Sequence, residues 1–170
     1  KFRPGLRMHI AIDATGGDFA PRTIVDGALV AGRKLGIGLT LVGVANDLSR
    51  ELARHDDAGT VDVRIIDAPD CVGMDEIPSH ALRSKPKASV KVAAEVVAQG
   101  AAAAFFSAGN TGAAMLAAHA AFGLLPGVDR PALATTIPTL GNGAVLLDSG
   151  ANVECRAQHL VQFAAMGVVY

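Results

Sequence analysis

The chain has 170 residues, of which 51% are hydrophobic and 18% are charged, and its formal net charge is −1. This composition excludes an intrinsically disordered chain and supplies a core for one domain, or for half of a larger one. The near-neutral charge gives no indication of nucleic-acid binding. Cys71 and Cys155 lie too far apart in sequence for a disulfide framework, and we expect each to be a buried structural residue in a reducing cytoplasm.

The hydrophobic pattern predicts strands and helices that alternate along the chain. Strands are predicted at residues 8–13, 39–44, 61–67, 101–106, 132–137 and 144–148. Helices are predicted at residues 21–35, 47–55, 75–84, 89–99, 110–125 and 155–169, with Ser89 in the capping position of the fourth. Repeated β-then-α units predict an α/β fold with a mainly parallel sheet and helices on both faces.

The ends of the chain and one long uncharged stretch indicate how the chain divides into an extension and a domain. Residues 1–7 are interpreted as an N-terminal extension, because a clear strand pattern begins at Met8. Residues 8–170 are expected to be the N-terminal part of a single α/β domain that is truncated at its C-terminus. The stretch 99–128 carries no charge, but Ser107, Asn110 and Thr111 in its middle argue against a transmembrane helix and favour a buried strand followed by a helix.

The first motif, DATGGD at 13–18, follows the first strand. Ligands of open α/β sheets bind beyond the carboxyl ends of the strands, where Asp13 is expected to lie. Gly16 and Gly17 permit a tight turn and a close approach of backbone to an anion. Asp18 lies near the start of the next helix. The alternative interpretation is that Asp18 caps this helix and Asp13 orders the turn.

The second motif, SAGNTGA at 107–113, is the most informative part of the sequence. It follows an apolar strand and precedes an alanine-rich helix. Gly109 and Gly112 leave room for a ligand, while Ser107, Asn110 and Thr111 offer hydrogen-bonding side chains beside the free N–H groups of a helix start. This arrangement predicts a seat for phosphate or an oxyanion, although an ordinary tight strand–helix turn remains the alternative.

Two further segments carry polar side chains that suit a site. Asp148 ends the last predicted strand, and Asn152 and Glu154 follow it. All three are expected to face the same crevice, with helix capping as the alternative role for Asn152 or Glu154. Arg83, Lys85 and Lys87 form a local cationic cluster, followed by Ser89, that suits a phosphate or an acidic carrier protein, whereas a solvated loop is the alternative. The five histidines are scattered without metal-ligand spacing, so no metal site is expected.

In combination these stretches resemble the bacterial PlsX-type phosphate acyltransferases of phospholipid synthesis. The resemblance rests on IAIDATGGDFAP, MDEIPSHALRSKPKASVKVAAEVV, SAGNTGA, RPALATTIP and LDSGANVECRAQHLVQFAAMG, which occur in the family's order from Met8 onward. The chain departs from the family in three places: Thr15 replaces a methionine, Ala88-Ser89 replaces a pair of serines, and Glu154 replaces an aspartate. Family members are also roughly twice as long, so further site residues and much of a dimer surface are expected in the other half.

The resemblance implies a three-layer α/β/α Rossmann-like sandwich, similar to isocitrate and isopropylmalate dehydrogenases. It implies transfer of a long-chain acyl group from acyl carrier protein to orthophosphate, giving an acyl phosphate that a glycerol-3-phosphate acyltransferase then uses. It further implies a cytoplasmic homodimer, with weak peripheral membrane association, and no cofactor or metal.

For this reaction we expect one set of residues to act on the reacting atoms and a second set to bind phosphate or substrate. The expected catalytic residues are Asn110, Ser107 and Asp13. The expected binding residues are Gly16, Gly17, Asp18, Arg83, Lys85, Ser89, Gly109, Thr111, Gly112, Asp148 and Asn152. Two alternatives stay open: a phosphate acetyltransferase-like enzyme that uses acetyl-coenzyme A, and an inactive truncated fragment. An NAD-dependent decarboxylating dehydrogenase is disfavoured, because its metal-binding carboxylates and arginine cluster are not found.

Overall fold

The computed structural model describes residues 8–170, so the predicted N-terminal extension lies outside the described residues. The strands are β1 (His9–Asp13), β2 (Gly38–Gly43), β3 (Val63–Asp67), β4 (Ala104–Ser107), β5 (Ala134–Ile137) and β6 (Ala144–Leu147). The helices are α1 (Arg22–Leu35), α2 (Ala45–Leu52), α3 (Pro78–Ser84), α4 (Ser89–Ala98), α5 (Thr111–Phe122) and α6 (Ala157–Val169). Each predicted strand and helix is present, with bounds that differ from the prediction by a few residues.

Strands β1 to β4 form a parallel sheet in the order β3-β2-β1-β4. Ile12 and Leu41 project from one face into a core that α1 and α2 cover. Ala11 and Val42 project from the other face into a core that α4 covers. Because helices cover both faces, β1 and β2 are buried at nearly every position, as is usual for central parallel strands. The α/β fold with a three-layer, Rossmann-like arrangement is therefore confirmed.

The chain divides into two compact units, one ending at Ala121 and the other beginning at Phe122. The second unit contains β5 and β6, which pair in antiparallel orientation, followed by α6. Phe163 and His159 of α6 are buried within this unit. The two predicted strands are thus present here, but they form a separate antiparallel pair.

One predicted helix cap is wrong. Ser89 is the first residue of α4, and the capping position belongs to Ala88, which makes no side-chain cap. The Ser89 hydroxyl donates instead to the carboxylate of Asp13 on β1, at 2.5 Å. A hydrogen bond to a buried charged group is stronger than one to a backbone N–H at a solvated helix end, and it takes the side chain away from the cap.

No helix within residues 8–170 has both the length and the apolar character needed to cross a membrane. The uncharged stretch 99–128 contains β4 and the whole of α5, as the sequence predicts.

Two glycines of α1 provide a test of how tightly this helix packs on the sheet. A Cβ at Gly32 would lie 2.7 Å from Val61 Cγ1 and 3.2 Å from Leu39 Cδ1, whereas a Cβ at Gly27 would have no neighbour within 4 Å. Both substitutions by alanine gain about 1 kcal/mol of helix propensity. We expect Gly27→Ala to stabilise the protein and Gly32→Ala to destabilise it by about 1–2 kcal/mol, because overpacking outweighs the gain. Urea unfolding of the two variants measures the difference, and equal stabilisation would contradict close packing at Gly32.

Candidate functional site

A buried carboxylate lies at the carboxyl end of the sheet. Asp13 ends β1, pairs in register with Ser107 of β4, and is only 2% exposed. Its Oδ1 accepts a hydrogen bond from Ser89 Oγ at 2.5 Å, and its Oδ2 accepts one from Ser107 Oγ at 2.6 Å. Three predicted site residues from distant parts of the chain therefore meet at one side chain. Together with Thr15 they are called the aspartate–serine cluster below.

The hydroxyl protons of this cluster are committed to its internal bonds. Thr15 Oγ1 donates to Ser89 Oγ at 2.6 Å, and the Ser89 hydroxyl in turn donates to Asp13 Oδ1. Ser107 donates to Asp13 and accepts from the N–H of Gly109 at 3.1 Å. In this arrangement neither serine has a hydroxyl proton left for a bound anion. The cluster is therefore suited to fixing the loops around it.

Glycines allow the loop after β1 to touch the loop after β4. A Cβ at Gly16 would lie 2.4 Å from Asp13 Oδ2, and a Cβ at Gly109 would lie 2.9 Å from Gly16 Cα. Gly17 has φ 105°, and a Cβ there would lie 3.1 Å from the Ala108 carbonyl oxygen. The contact between the two backbones is thus sufficient reason for glycine at these positions.

Asn110 joins the start of α5 to a turn formed by residues 73–76. Its Oδ1 accepts from the N–H of Ala113, which caps α5. Its Nδ2 donates to the carbonyls of Gly73 and Glu76, each at 3.1 Å. The N–H of Glu76 also donates to the Gly73 carbonyl, at 3.3 Å. Both ends of the Asn110 amide are therefore used within the protein, and they hold what we call the 73–76 turn.

Lys85 places a cation beside this turn. Its Nζ donates to Glu76 Oε2 at 2.5 Å and to the carbonyl of Cys71 at 2.7 Å. The same Glu76 oxygen accepts from the N–H of Gly73 at 2.7 Å. The hydrogen bond from Lys85, followed by that from Gly73, lowers the pKa of the Glu76 carboxyl. At neutral pH this site therefore contains an ion pair.

Cys71 connects the Lys85 pair to the aspartate–serine cluster. Its Sγ donates to the carbonyl of Thr15 at 3.0 Å. Partial burial raises the pKa of the Cys71 thiol, and the nearby charge of Asp13 adds to this effect. The thiol is thus protonated at neutral pH and is a poor nucleophile. Cys71 and Cys155 are both exposed as residues, so the prediction that they are buried is wrong.

The other predicted residues of the first unit lie at the edge of this site. Asp18 and Thr111 are exposed, and Arg83 is exposed on α3 with its Nε donating to the Ser79 carbonyl. A Cβ at Gly112 would lie 2.7 Å from Pro78 Cγ, so the first turn of α5 packs against the start of α3. The roles proposed for these residues stay predictions.

Asp148 and Asn152 lie in the second unit and bind each other. Asn152 Nδ2 donates to Asp148 Oδ2 at 3.0 Å and to the Pro131 carbonyl at 2.9 Å. Asp148 Oδ1 accepts from the N–H of Leu133 at 2.8 Å, and its Oδ2 accepts from the N–H of Asn152 at 2.7 Å. Burial opposes ionisation of Asp148, but the hydrogen bonds from Leu133 and Asn152 outweigh it and lower the pKa of the carboxyl.

The sequence interpretation missed three residues of the site: Thr15, Cys71 and Glu76. Each of them contacts a residue that was predicted. Glu76 lies nine positions before Lys85, across α3, so no helical spacing indicates their pairing. Thr15 is noted in the sequence only as a departure from the family pattern.

Comparisons with known proteins identify the family. A family model described as "Fatty acid synthesis protein" matches residues 8–170. A phosphate acyltransferase of Thermosynechococcus vestitus is 49% identical over 99% of this chain and 49% of its own length. One from Gloeobacter violaceus is 50% identical over 96% of this chain and 48% of its own length. The chain belongs to the fatty acid synthesis protein family, and it spans about half the length of the curated relatives it matches.

The charge of Asp13 should be essential to the cluster. Asp13→Asn replaces one acceptor oxygen by an NH₂ group that cannot accept a serine proton. We expect a loss of about 2–3 kcal/mol in the free energy of unfolding, the scale of a hydrogen bond to a buried charge. Asp18→Asn removes the same charge from an exposed position of the same loop and should change stability by less than about 0.5 kcal/mol. Urea unfolding distinguishes them, and equal effects would contradict the structural role of Asp13.

Asp148 should make the protein more stable above acidic pH. Its pKa is lower in the folded state than in the unfolded state, so its contribution is fully present above the unfolded pKa. That contribution is lost as the pH falls through the folded value, below about 4. We expect Asp148→Asn to reduce the fall in unfolding free energy between pH 7 and pH 3. Glu154→Gln, whose side chain has no hydrogen bond within residues 8–170, serves as the control and should leave that fall unchanged.

Proposed function

We propose that this chain supplies the phosphate-binding half of an acyltransferase that moves a long-chain acyl group from acyl carrier protein to orthophosphate. The observation that carries the proposal is the Lys85 ammonium at the edge of the site, beside the turn that Asn110 holds against α5. It is supported by membership of a family whose curated relatives are named phosphate acyltransferases. An ammonium group favours a phosphate dianion, and so does the start of a helix.

The reaction needs a held nucleophile and a stabilised oxyanion. A phosphate oxygen attacks the thioester carbonyl carbon, the new C–O bond forms, and the C–S bond breaks as the tetrahedral intermediate collapses. The leaving thiolate takes a proton from solvent. Lys85 and the N–H groups of Thr111 and Gly112 would hold the phosphate, because the first N–H groups of a helix have no partners within it; the next one, that of Ala113, is bound to Asn110 Oδ1. Asn110 would donate a hydrogen bond to the phosphate or the oxyanion only when its amide is released from the 73–76 turn.

The aspartate–serine cluster has a positioning role in this proposal. Asp13, Ser89 and Ser107 hold the loops after β1 and β4 in contact, and Gly16 and Gly109 allow that contact. Donors that are already fixed around phosphate lower the activation free energy, because they do not have to be ordered during the reaction.

The remaining partners follow from the family resemblance. We propose that acyl carrier protein is the acyl donor, that the acyl phosphate passes to a glycerol-3-phosphate acyltransferase, and that the enzyme works as a homodimer. A cytoplasmic location with weak peripheral membrane association belongs to the same proposal. Asp148, Asn152, Arg83 and Asp18 are proposed to contact substrate or the carrier.

The first test mixes the full gene product with palmitoyl-acyl carrier protein, with and without orthophosphate, and measures the free carrier thiol. We expect thiol release that depends on phosphate. Lys85→Met should raise the KM for phosphate about ten-fold or more, the scale of a lost charged hydrogen bond. Lys87→Met removes the same charge from an exposed neighbour and is the control.

Three outcomes would contradict the proposal in different ways. No release from a folded protein contradicts the acyl carrier reaction, and release with acetyl-coenzyme A instead supports the acetyltransferase alternative. Equal effects of the two lysine variants contradict the role of Lys85.

A further inference from the structure

The carboxylate of Glu76 is bound as an inorganic anion would be. One of its oxygens accepts from the Lys85 ammonium at 2.5 Å and from the N–H of Gly73 at 2.7 Å. An ammonium and a backbone N–H that converge on one oxygen are the donor types that bind phosphate groups in proteins. The position next to Lys85 is therefore occupied by an anion that belongs to the protein itself.

We propose that Glu76 is a built-in counter-anion of the phosphate site, and that an incoming phosphate displaces its carboxylate from Lys85. This inference rests on the proposed function, because it takes orthophosphate as the ligand of Lys85. It makes Glu76 a residue that sets the affinity for phosphate without being required for the reaction. The lowered pKa of the Glu76 carboxyl keeps it charged at neutral pH, so the competition is between two anions.

Three hydrogen bonds of the turn that carries Glu76 do not use its carboxylate; the bond from the Gly73 N–H to Oε2 is the one that does. Asn110 Nδ2 holds the carbonyls of Gly73 and Glu76, and the Glu76 N–H closes the turn on the Gly73 carbonyl. These bonds involve only the backbone of the turn and the Asn110 amide. The side chain of Glu76 can therefore leave Lys85 while the turn keeps its shape.

The Lys85 ammonium also stays in place when the carboxylate leaves. Its second hydrogen bond goes to the Cys71 carbonyl at 2.7 Å, and this acceptor is independent of Glu76. An ammonium has three protons, so one remains for a further acceptor. The side chains of Lys85 and Glu76 are 30% and 36% exposed, which gives solvent and a small anion access to the pair.

Because the Lys85–Glu76 pair is partly exposed, phosphate has only a weak ion pair to displace. Solvent screens a partly exposed ion pair, so such a pair is held weakly. A phosphate dianion carries more charge and more acceptor oxygens than a carboxylate, so it competes well for the same cation. The Lys85 ammonium is therefore paired with an anion both before the exchange, with Glu76, and after it, with phosphate.

The test compares Glu76→Gln with Asp75→Asn in the full gene product. Glutamine keeps an oxygen that accepts from Gly73 but removes the charge that competes for Lys85. We expect the KM for phosphate to fall about two- to five-fold in Glu76→Gln, the scale of an exposed ion pair, with the KM for the acyl donor unchanged. Asp75→Asn removes the same charge from the same turn, and should leave the KM for phosphate within about 1.5-fold, because exposed charges act weakly on each other.

A double variant shows whether Glu76 acts through Lys85. In the Lys85→Met background, the further change Glu76→Gln should leave the KM for phosphate unaltered, since the competed cation is absent. A KM that is unchanged or raised in the single variant Glu76→Gln would overturn the inference and make Glu76 a structural staple of the turn. An equal fall in Asp75→Asn would also overturn it, because the effect would then be one of general charge.

Failure of the proposed function is distinguishable from failure of this inference. If the wild-type protein releases no thiol with phosphate, the function fails, and binding of orthophosphate alone is then measured by isothermal titration calorimetry. Tighter binding to Glu76→Gln than to wild type supports the counter-anion. Equal binding, or no binding to either protein, overturns it.

Discussion

The site depends on one buried charge. Asp13 is almost fully removed from solvent, and an ionised carboxylate in that position is stable only when hydrogen bonds compensate its lost hydration. The compensating hydroxyls come from Ser89 and Ser107, which follow it by 76 and 94 positions in the chain. A single side chain at the end of β1 therefore fixes the start of α4 and the end of β4. The loops that carry the candidate phosphate site take their positions from this arrangement.

The site has an inner part that is fixed and an outer part that can exchange partners. In the inner part, Asp13 and its two serines are joined by short bonds in which each hydroxyl proton is already committed. In the outer part, Lys85 and Glu76 are joined by a charge pair that solvent can reach. A buried network of this kind is costly to disturb, whereas an exposed pair is not. The proposed exchange of phosphate for the Glu76 carboxylate therefore belongs to the outer part.

The fold could be predicted from the sequence because burial leaves a strong pattern. Strands covered on both faces are continuously apolar, and this pattern identifies β1 and β2. The direction in which two strands pair leaves no such pattern, which is why the antiparallel pairing of β5 with β6 was not foreseen. The cap assigned to Ser89 is wrong for a related reason. Capping preferences describe local bonds, and the partner of this serine is 76 positions away.

The candidate site was predicted as a set of residues but not as a set of bonds. Asn110 shows the difference, since its residue type and position suggest an oxyanion donor while its amide protons point to the carbonyls of the 73–76 turn. An amide proton that is bound to a carbonyl cannot also stabilise developing charge. Contact of Asn110 with a substrate therefore requires the turn to release one of these bonds. The Glu76 carbonyl belongs to the same residue whose carboxylate pairs with Lys85, but the two contacts are separable, because the carboxylate moves by side-chain rotation while the carbonyl stays in the turn. In the proposed exchange phosphate therefore meets the Lys85 ammonium while the Asn110 amide stays bound to the 73–76 turn.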